Sequence, residues 1–302
     1  MVVIDNLAKR TADGKTIDIP DFGDVKDGFL EIKGHNILNL TDNEPIFRGI
    51  DTVFHLSAKI GGIKYFHKYP ATILKANDLL THKVLTNCVN AGVKRVVYTS
   101  SSMVFEQATK FPTPEDHIKE CPMPLSAYGY SKLSGEKSCE AYHDEFGIEY
   151  VIARPFNAFG PGEIPEDEVG IAHVIPDLIK KAMSGQYPLE ILGDGEQTRS
   201  YSYVTEVAEG IGKIGMGRYT NQAFNIGTSE ESTIKQIAEV VWQTVGRTEP
   251  LKFLYLEPYR YDVRRRCPDV SKMKKLYGWG PKIGLSEGVR LTYDYLRGRV
   301  NA

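Results

Sequence analysis

The sequence has little excess charge and no long hydrophobic run. Its 37 lysines and arginines are nearly balanced by 39 aspartates and glutamates, which gives a net charge of −2. Binding to nucleic acid requires a basic surface that neutralises phosphates, so we expect no nucleic-acid partner. No apolar run approaches the length that spans a bilayer, and no charged-then-apolar leader opens the chain. We therefore expect no membrane partner either.

Cysteine is also scarce. The four cysteines, Cys88, Cys121, Cys139 and Cys267, lie far apart and lack the paired spacing that binds zinc. Such isolated thiols are typical of a reducing compartment. With 41% hydrophobic residues, the chain is long enough to bury a large core in one or two domains. We therefore expect a cytoplasmic protein without a metal site.

Short apolar segments alternate with helical segments along the first half of the chain. Residues 52–58, 95–101 and 149–155 read as strands, and residues 70–91 read as a helix. A second helix is predicted between Ser126, which suits an N-cap, and Gly147, which suits a C-terminal end. Apolar strands separated by helices predict an α/β fold with a parallel sheet covered on both faces.

The second helix carries a pair of residues with useful chemistry. Tyr128 and Lys132 are four residues apart and therefore share one helix face. A phenol has a pKa near ~10, and a neighbouring ammonium group favours its ionised form. On spacing alone, an ordinary helix face is the better interpretation. However, Ser101 ends the preceding predicted strand, where parallel sheets place their ligands, and its hydroxyl suits the same substrate oxygen.

Nine segments along the chain resemble those of extended short-chain dehydrogenase/reductases of the nucleotide-sugar epimerase/dehydratase family. In chain order they are VVIDNL, DTVFHLSAKIGG, VKRVVYTSSSMVF, SAYGYSK, RPFNAFGPG, AHVIPDLIKKA, ILGDGEQTRSYSYV, AFNIGTSEESTI and DVRRRCPDVSKMKKLYGW. The resemblance implies a Rossmann-like doubly wound sheet with a smaller, interleaved α/β substrate domain. It assigns residues 1–157 and about 200–226 to the NAD-binding domain, and residues 158–199 and 227–302 to the substrate domain.

The resemblance also implies roles for individual residues. Tyr128 would accept the proton of a sugar hydroxyl, Ser101 would orient that oxygen, and Lys132 would hold the nicotinamide ribose. Asp5 would bind the adenosine ribose, and its charge would repel a 2′-phosphate, which favours NAD over NADP. The remaining positions implied for the cofactor are Asn6, Asn36, Ile37, Leu56, Ser57, Ala58, Asn77 and Pro155.

A nucleotide-diphosphate sugar is the implied substrate. Its diphosphate would lie against Arg199 and Arg266, because a guanidinium donates two parallel hydrogen bonds and keeps its charge. The other positions implied for substrate binding are Ser102, Asn157, His173 and Val174. Family members commonly pair through the helices that correspond to residues 70–91 and 126–146, so we expect a homodimer.

The residues after Ser101 favour one reaction of the family. Family 4,6-dehydratases carry an Asp-Glu pair there, decarboxylases carry a glutamate and 3,5-epimerases carry a cysteine, whereas this chain has Ser102 and Met103. Neither side chain replaces those acid/base groups. Epimerisation at C4 needs only Ser101, Tyr128 and Lys132 and is therefore predicted. The alternative is a 3,5-epimerase or reductase that uses His173.

The start of the chain raises a second alternative. The family places a strand and a glycine-rich phosphate-binding turn before the acid that matches Asp5, and only four residues precede Asp5 here. We therefore expect a shortened epimerase that lacks roughly 25 to 30 residues. The competing interpretation is a non-catalytic binder of nucleotide sugars. The GxGxxG at residues 210–215 follows a helical segment, so it is predicted not to bind phosphate.

Overall fold

The computed structural model describes residues 2–5, 31–34, 36–163, 165, 172–260 and 262–299. Its strands are β1 Val2–Asp5, β2 Glu31–Gly34, β3 Thr52–His55, β4 Arg95–Thr99, β5 Glu149–Pro155, β6 Ala158–Phe159, β7 Leu189–Leu192, β8 Thr198–Arg199, β9 Ser202–Tyr203, β10 Gln222–Ile226, β11 Ser232–Thr233, β12 Phe253–Leu256 and β13 Arg265–Arg266. Its α-helices are α1 Ile63–Lys68, α2 Pro70–Ala91, α3 Ala127–Phe146, α4 Val174–Met183, α5 Val204–Met216, α6 Ile234–Val245, α7 Ser271–Tyr277 and α8 Leu285–Leu296.

A parallel sheet in the order β10-β5-β4-β3 forms the centre of the first half. Val97 of β4 lies between Phe54 of β3 and Val151 of β5. The middle residues of β4 and β5, 96–98 and 150–153, are apolar or aromatic and buried, as expected for strands that are covered on both faces. Strands β1 and β2 pair in parallel as a separate two-stranded sheet. The predicted α/β fold with a parallel sheet is confirmed.

Helices α2 and α3 cover one face of the four-stranded sheet. The Ser126 hydroxyl accepts the Gly129 amide at 3.0 Å, and Gly147 ends α3 with φ of 75°. Both predicted ends of this helix are confirmed. Together the helices and strands bury one apolar core, whose members include Val84, Cys88, Val96, Cys139 and Ile152.

Helices α5 and α7 cover the opposite face. The GxGxxG at residues 210–215 lies inside α5, which confirms that it is not a turn between a strand and a helix. A Cβ atom on Gly210 would lie 2.9 Å from Trp279, and one on Gly215 would lie 2.4 Å from Phe54. These two glycines therefore allow close packing of the helix on its neighbours. Met273 of α7 belongs to the same core.

A second apolar core lies between α4, α6, α8 and the parallel pair β7–β12. Among its fully buried members are Ile175, Ile179, Ile237 and Val289. The predicted boundaries between the two domains stay a prediction. Along the stretches that the structure describes, none of the helices has both the length and the apolar character for crossing a membrane.

Candidate active site

A cavity of about 350 Å³ lies between the carboxyl ends of the sheet strands and the α4–α6 layer. The carboxyl end of a parallel sheet is where α/β proteins bind ligands. Residues predicted from the sequence form much of its wall: Leu56, Ala58, Ser101, Ser102, Tyr128, Lys132, Pro155, Asn157, His173, Val174, Arg199 and Arg266. The fold therefore brings together residues from both halves of the chain.

Helix α3 places Tyr128 and Lys132 in this wall. Its N-cap is Ser126, so Tyr128 lies in the first turn and Lys132 lies one turn later on the same face. Ser101 begins a 3-10 helix, Ser102–Phe105, and its hydroxyl accepts the Met103 amide at 3.2 Å. The Ser101 side chain is also hydrogen-bonded to the Tyr128 phenol. The three residues predicted to be catalytic thus lie at one end of the cavity.

Burial controls the ionisation of both α3 groups. It raises the pKa of Tyr128 to about 12, while the Ser101 hydrogen bond and the charge of Arg266 act in the opposite direction. Burial also lowers the pKa of Lys132 to about 8, against an opposing effect of Glu136. The Lys132 ammonium donates to the Thr99 carbonyl at 2.7 Å and lies 5.9 Å from the centre of the Tyr128 ring.

A buried ion pair fixes α3 against the sheet. The Arg154 guanidinium of β5 donates to both carboxylate oxygens of Glu136, at 2.9 and 2.7 Å. The Ser100 hydroxyl donates to the same carboxylate at 2.5 Å. Since each charged group is satisfied by its partner, the pair can remain buried. It holds the strand end at Ser100 beside the helix that carries Tyr128.

The predicted cofactor residues fall into two groups. Leu56, whose side chain is 58% exposed, and Pro155 lie in the cavity wall with Ala58. Asn77 instead forms hydrogen bonds within the protein. It accepts the Lys59 amide at 2.6 Å and donates to the Ser131 hydroxyl at 3.0 Å. It therefore fixes the loop that follows β3 against α3.

The other predicted cofactor residues lie away from the cavity wall or outside the described chain. The Ser57 hydroxyl is 3.1 Å from Nδ1 of His55. Asn36 caps a short 3-10 helix through the Leu38 amide, and Ile37 packs against the core beneath α2. For Asp5, the structure describes its place at the end of β1. Asn6 lies outside the described residues. A role in binding the cofactor stays a prediction for all of them.

Arg199 and Arg266 are neighbours because β8 and β13 pair in parallel, with the two residues in register. Arg199 donates to Asp262 at 2.9 Å. Arg266 has no carboxylate within ion-pair distance among the described residues. It donates to Oδ1 of Asn157 at 3.2 Å and to Sδ of Met103 at 2.8 Å. Burial and the nearby Arg199 lower the pKa of Arg266 to about 9. Arg266 is therefore a buried cation near Tyr128 that has no direct carboxylate partner among the described residues.

His173 is the N-cap residue of α4, and its Nδ1 lies 2.7 Å from Oε1 of Glu163. The next residue, Val174, begins the helix and also faces the cavity. The carboxylate orients the imidazole ring, so His173 presents a defined edge to the site. Within the described ranges, no three His, Cys, Asp or Glu side chains come together in a way that could hold a metal ion.

Phe66 and Glu106 are among the residues of the cavity wall that were missed in the sequence. The Phe66 ring of α1 stacks on Tyr128, with 4.4 Å between ring centres and 7° between planes. Glu106 follows the 3-10 helix after Ser101 and is 8% exposed. A signal existed for Glu106, because it directly follows a segment that resembles the family and lies three residues after Met103. Phe66 gave no such signal.

The chain belongs to the NAD dependent epimerase/dehydratase family, which matches residues 2–227. Among solved structures, the UDP-glucose 4-epimerase of Thermotoga maritima with UDP-glucose is similar. It has a TM-score of 0.82 and 30% identity, and the match covers 98% of this chain and 90% of that one. The resemblance read from the sequence is therefore confirmed, and so is the Rossmann-like fold.

Two curated relatives carry the names of other reactions. GDP-mannose 3,5-epimerase of Arabidopsis thaliana is 29% identical over 84% of this chain and 67% of its own length. UDP-glucuronic acid decarboxylase 1 of Xenopus tropicalis is 31% identical over 89% of this chain and 61% of its own length. The chain thus spans about two thirds of these relatives, and the family contains several reactions on nucleotide sugars.

Proposed function

We propose that this protein is an NAD-dependent nucleotide-sugar epimerase that acts at C4 of the sugar. The observation that carries the proposal is the convergence of Ser101, Tyr128 and Lys132 at one end of a cavity that also contains Arg199 and Arg266. A hydroxyl, a phenol and an ammonium group at one place suit the removal of a proton from an alcohol. The two arginines suit an anionic substrate.

The residues at the sheet end of the cavity fit a nicotinamide cofactor. Lys132 uses one N–H donor on the Thr99 carbonyl, and its other two have no acceptor among the described residues. The Thr99 hydroxyl is buried without a partner in the same set. Ribose hydroxyls would form hydrogen bonds with these unpartnered groups, while Leu56 and Pro155 would pack against the nicotinamide ring. When bound, NAD supplies a hydride acceptor and donor for C4.

The protein groups move the proton that accompanies oxidation of C4. Tyr128 takes the proton from the C4 hydroxyl, while Ser101 holds the oxygen in line with the phenol. The Ser101 hydrogen bond and the charge of Arg266 favour the phenolate that this step needs. After the ketone has turned over in the cavity, Tyr128 returns the proton to the oxygen. The result is inversion at C4.

One observation favours a second candidate, epimerisation at a carbon beside C4. Glu163 orients His173 at 2.7 Å, as suits a histidine that transfers protons. In this candidate the sugar is first oxidised at C4 by the same Ser101–Tyr128–Lys132 group, and His173 then protonates the neighbouring carbon. The substrate in both cases is a nucleotide-diphosphate sugar, and we propose that the protein acts as a homodimer.

A conservative substitution tests the C4 proposal. In the presence of NAD, the protein should convert at least one UDP-, GDP- or dTDP-hexose into its C4 epimer, as followed by NMR. Tyr128→Phe should lower kcat by about 100-fold or more, since it removes the proton-transfer group. Tyr130→Phe is a matched control, because Tyr130 is exposed on the same helix. Failure of the NAD-loaded protein to invert C4 of any of these sugars would contradict the proposal.

A further inference from the structure

Glu106 is a buried carboxylate in the cavity wall that has no part in hydride transfer. One carboxylate oxygen, Oε2, accepts the Ser126 amide at 2.8 Å. The other, Oε1, is buried and has no hydrogen-bond partner among the described residues. A buried carboxylate oxygen without a hydrogen bond destabilises the fold, so its retention calls for an explanation. A bound ligand that donates a hydrogen bond to Oε1 would provide this explanation.

Local structure places Glu106 next to the proton-transfer residues. Residues three apart in a 3-10 helix lie over one another, and the Glu106 amide donates to the Met103 carbonyl at 3.2 Å. Met103 packs directly in the small apolar cluster that contains Tyr128. On its other side, Glu106 is hydrogen-bonded to Ser126 at the start of the Tyr128 helix. Glu106 thus touches both elements that carry catalytic groups.

The charges around Glu106 leave its free oxygen available. The Arg266 guanidinium interacts electrostatically with the Glu106 carboxylate. The two form no ion pair among the described residues: Nη1 and Nη2 of Arg266 donate to Asn157 and Met103, and its Nε has no partner. Oε1 of Glu106 is therefore buried in the wall of the cavity that also contains Tyr128 and Arg266, and no protein donor among the described residues occupies it.

We propose that Glu106 is an acid/base residue that removes and returns the proton on a sugar carbon beside C4. The inference rests on the proposed function, since only a ketone at C4 makes the adjacent C–H bond acidic. The C–H bond breaks, the proton passes to Oε1 of Glu106, and the bonding pair forms the C=C bond of an enolate. The enolate oxygen receives hydrogen bonds from Tyr128 and Ser101. Reversal restores the ketone without any oxidant or reductant.

This step gives the protein an activity beyond inversion at C4. A carbon that loses and regains its proton exchanges hydrogen with solvent, and return of the proton to the opposite face inverts C3 or C5. Met103 is the second residue after Ser101, a position where related enzymes of the family carry an acid/base group. Its thioether cannot transfer protons. Glu106 supplies that capacity from one 3-10 turn further along the chain.

The test supplies the ketone directly and so does not depend on hydride transfer. UDP-4-keto-6-deoxyglucose is incubated in D2O with the protein, and deuterium at C3 and C5 is measured by NMR. Exchange should be faster than in buffer alone, and Glu106→Gln should slow it by about 100-fold or more. The glutamine oxygen still accepts the Ser126 amide, so this variant keeps the start of α3. Glu106→Ala removes both functions and should show the same loss of exchange.

The outcomes separate this inference from the C4 proposal. Wild-type exchange no faster than buffer, or full exchange in Glu106→Gln, would overturn the role of Glu106 and leave it as a support for Ser126. Loss of exchange in His173→Gln alone would also overturn it and assign the step to His173. Exchange that depends on Glu106, in a protein that inverts no hexose at C4, would support the inference while the C4 proposal fails.

Discussion

Lys132 is a cation buried where a neutral side chain would be more stable. Burial lowers its pKa from an ordinary value of 10.5 to about 8. Below pH 8 both the folded and the unfolded chain carry the proton, so the whole cost of burying the charge is present. Between pH 8 and 10.5 only the unfolded chain keeps it, and stability rises with pH. The gap between these two pKa values corresponds to about 3 kcal/mol.

We therefore expect Lys132→Met to stabilise the protein in the absence of ligands. At pH 7 the free energy of unfolding should increase by ~1–3 kcal/mol, because methionine removes the buried charge but also the hydrogen bond to Thr99. Thermal melting at several pH values measures the effect. The gain should shrink from pH 8 to pH 10.5, since wild-type Lys132 then becomes neutral in the folded state. A gain independent of pH would show that better packing, and not charge, is responsible.

At the scale of residues, the sequence predicted which side chains lie together only where those residues are close in the chain. Tyr128 and Lys132 share a helix face at a spacing of four, so their proximity followed from the sequence. The stacking of Phe66 on Tyr128 depends on how α1 packs beside α3, which no local pattern records. Glu106 stood close to the predicted segment, but only the 3-10 conformation of residues 102–105 turns it toward the cavity wall.

At the scale of elements, the contact between α3 and β4 positions the residues that we propose to be catalytic. Gly135 of α3 faces Tyr98 of β4, and a Cβ atom there would lie 2.0 Å from the tyrosine oxygen. Tyr98 is only 2% exposed, so it has little room to move aside. Gly135→Ala should therefore destabilise the protein by ~1–3 kcal/mol and push α3 away from the sheet. We expect a lower melting temperature together with a lower kcat.

A second glycine provides the control for this prediction. Gly212 lies inside α5, and a Cβ atom there would have no neighbour within 4 Å. Gly212→Ala should raise the free energy of unfolding by ~0.5–1 kcal/mol, because alanine is the better helix former. In a double-mutant cycle, Tyr98→Leu should recover part of the loss in Gly135→Ala. Equal melting temperatures for Gly135→Ala and Gly212→Ala would rule out the steric argument.

Elements that are determined by nearby residues could be predicted from the sequence, whereas those that depend on distant residues could not. Both ends of α3 were predicted, because Ser126 and Gly147 act on their own helix ends. The pairing of β8 with β13 was not, because each has two residues and they are joined only in space. That pairing places Arg199 beside Arg266, so the relation between these two arginines emerges only from the fold.

At the scale of the whole molecule, the cavity depends on two separately packed parts. One wall comes from the sheet and α3, and the other comes from α4, α6 and the β8–β13 pair. The first part has continuous apolar strands and a long helix, which made its architecture predictable from the sequence. The second has several strands of two residues, whose pattern is too short to predict. The family resemblance, and not local periodicity, placed its residues in the site.

The outer face of α2 and α3 carries an apolar patch, which we define as Leu79, His82, Tyr142 and Phe146. Leu79 and Phe146 are 49% and 51% exposed. Ring contacts of 6.0 and 5.4 Å join His82, Tyr142 and Phe146 across the two helices. Large apolar side chains grouped at a surface favour contact with another protein. We predict that this patch joins two copies of the chain and that Leu79→Glu dissociates them.

Sedimentation velocity of the purified protein measures its oligomeric state and so tests this prediction. Wild type should sediment as a dimer, whereas Leu79→Glu and Phe146→Glu should sediment as monomers, because each buries an unpaired carboxylate in the contact. Met216→Glu is the control: Met216 is 74% exposed at the end of α5, on the other side of the sheet. It should remain dimeric. Dissociation by Met216→Glu but not by Leu79→Glu would move the interface to the opposite face, and a monomeric wild type would contradict the prediction outright.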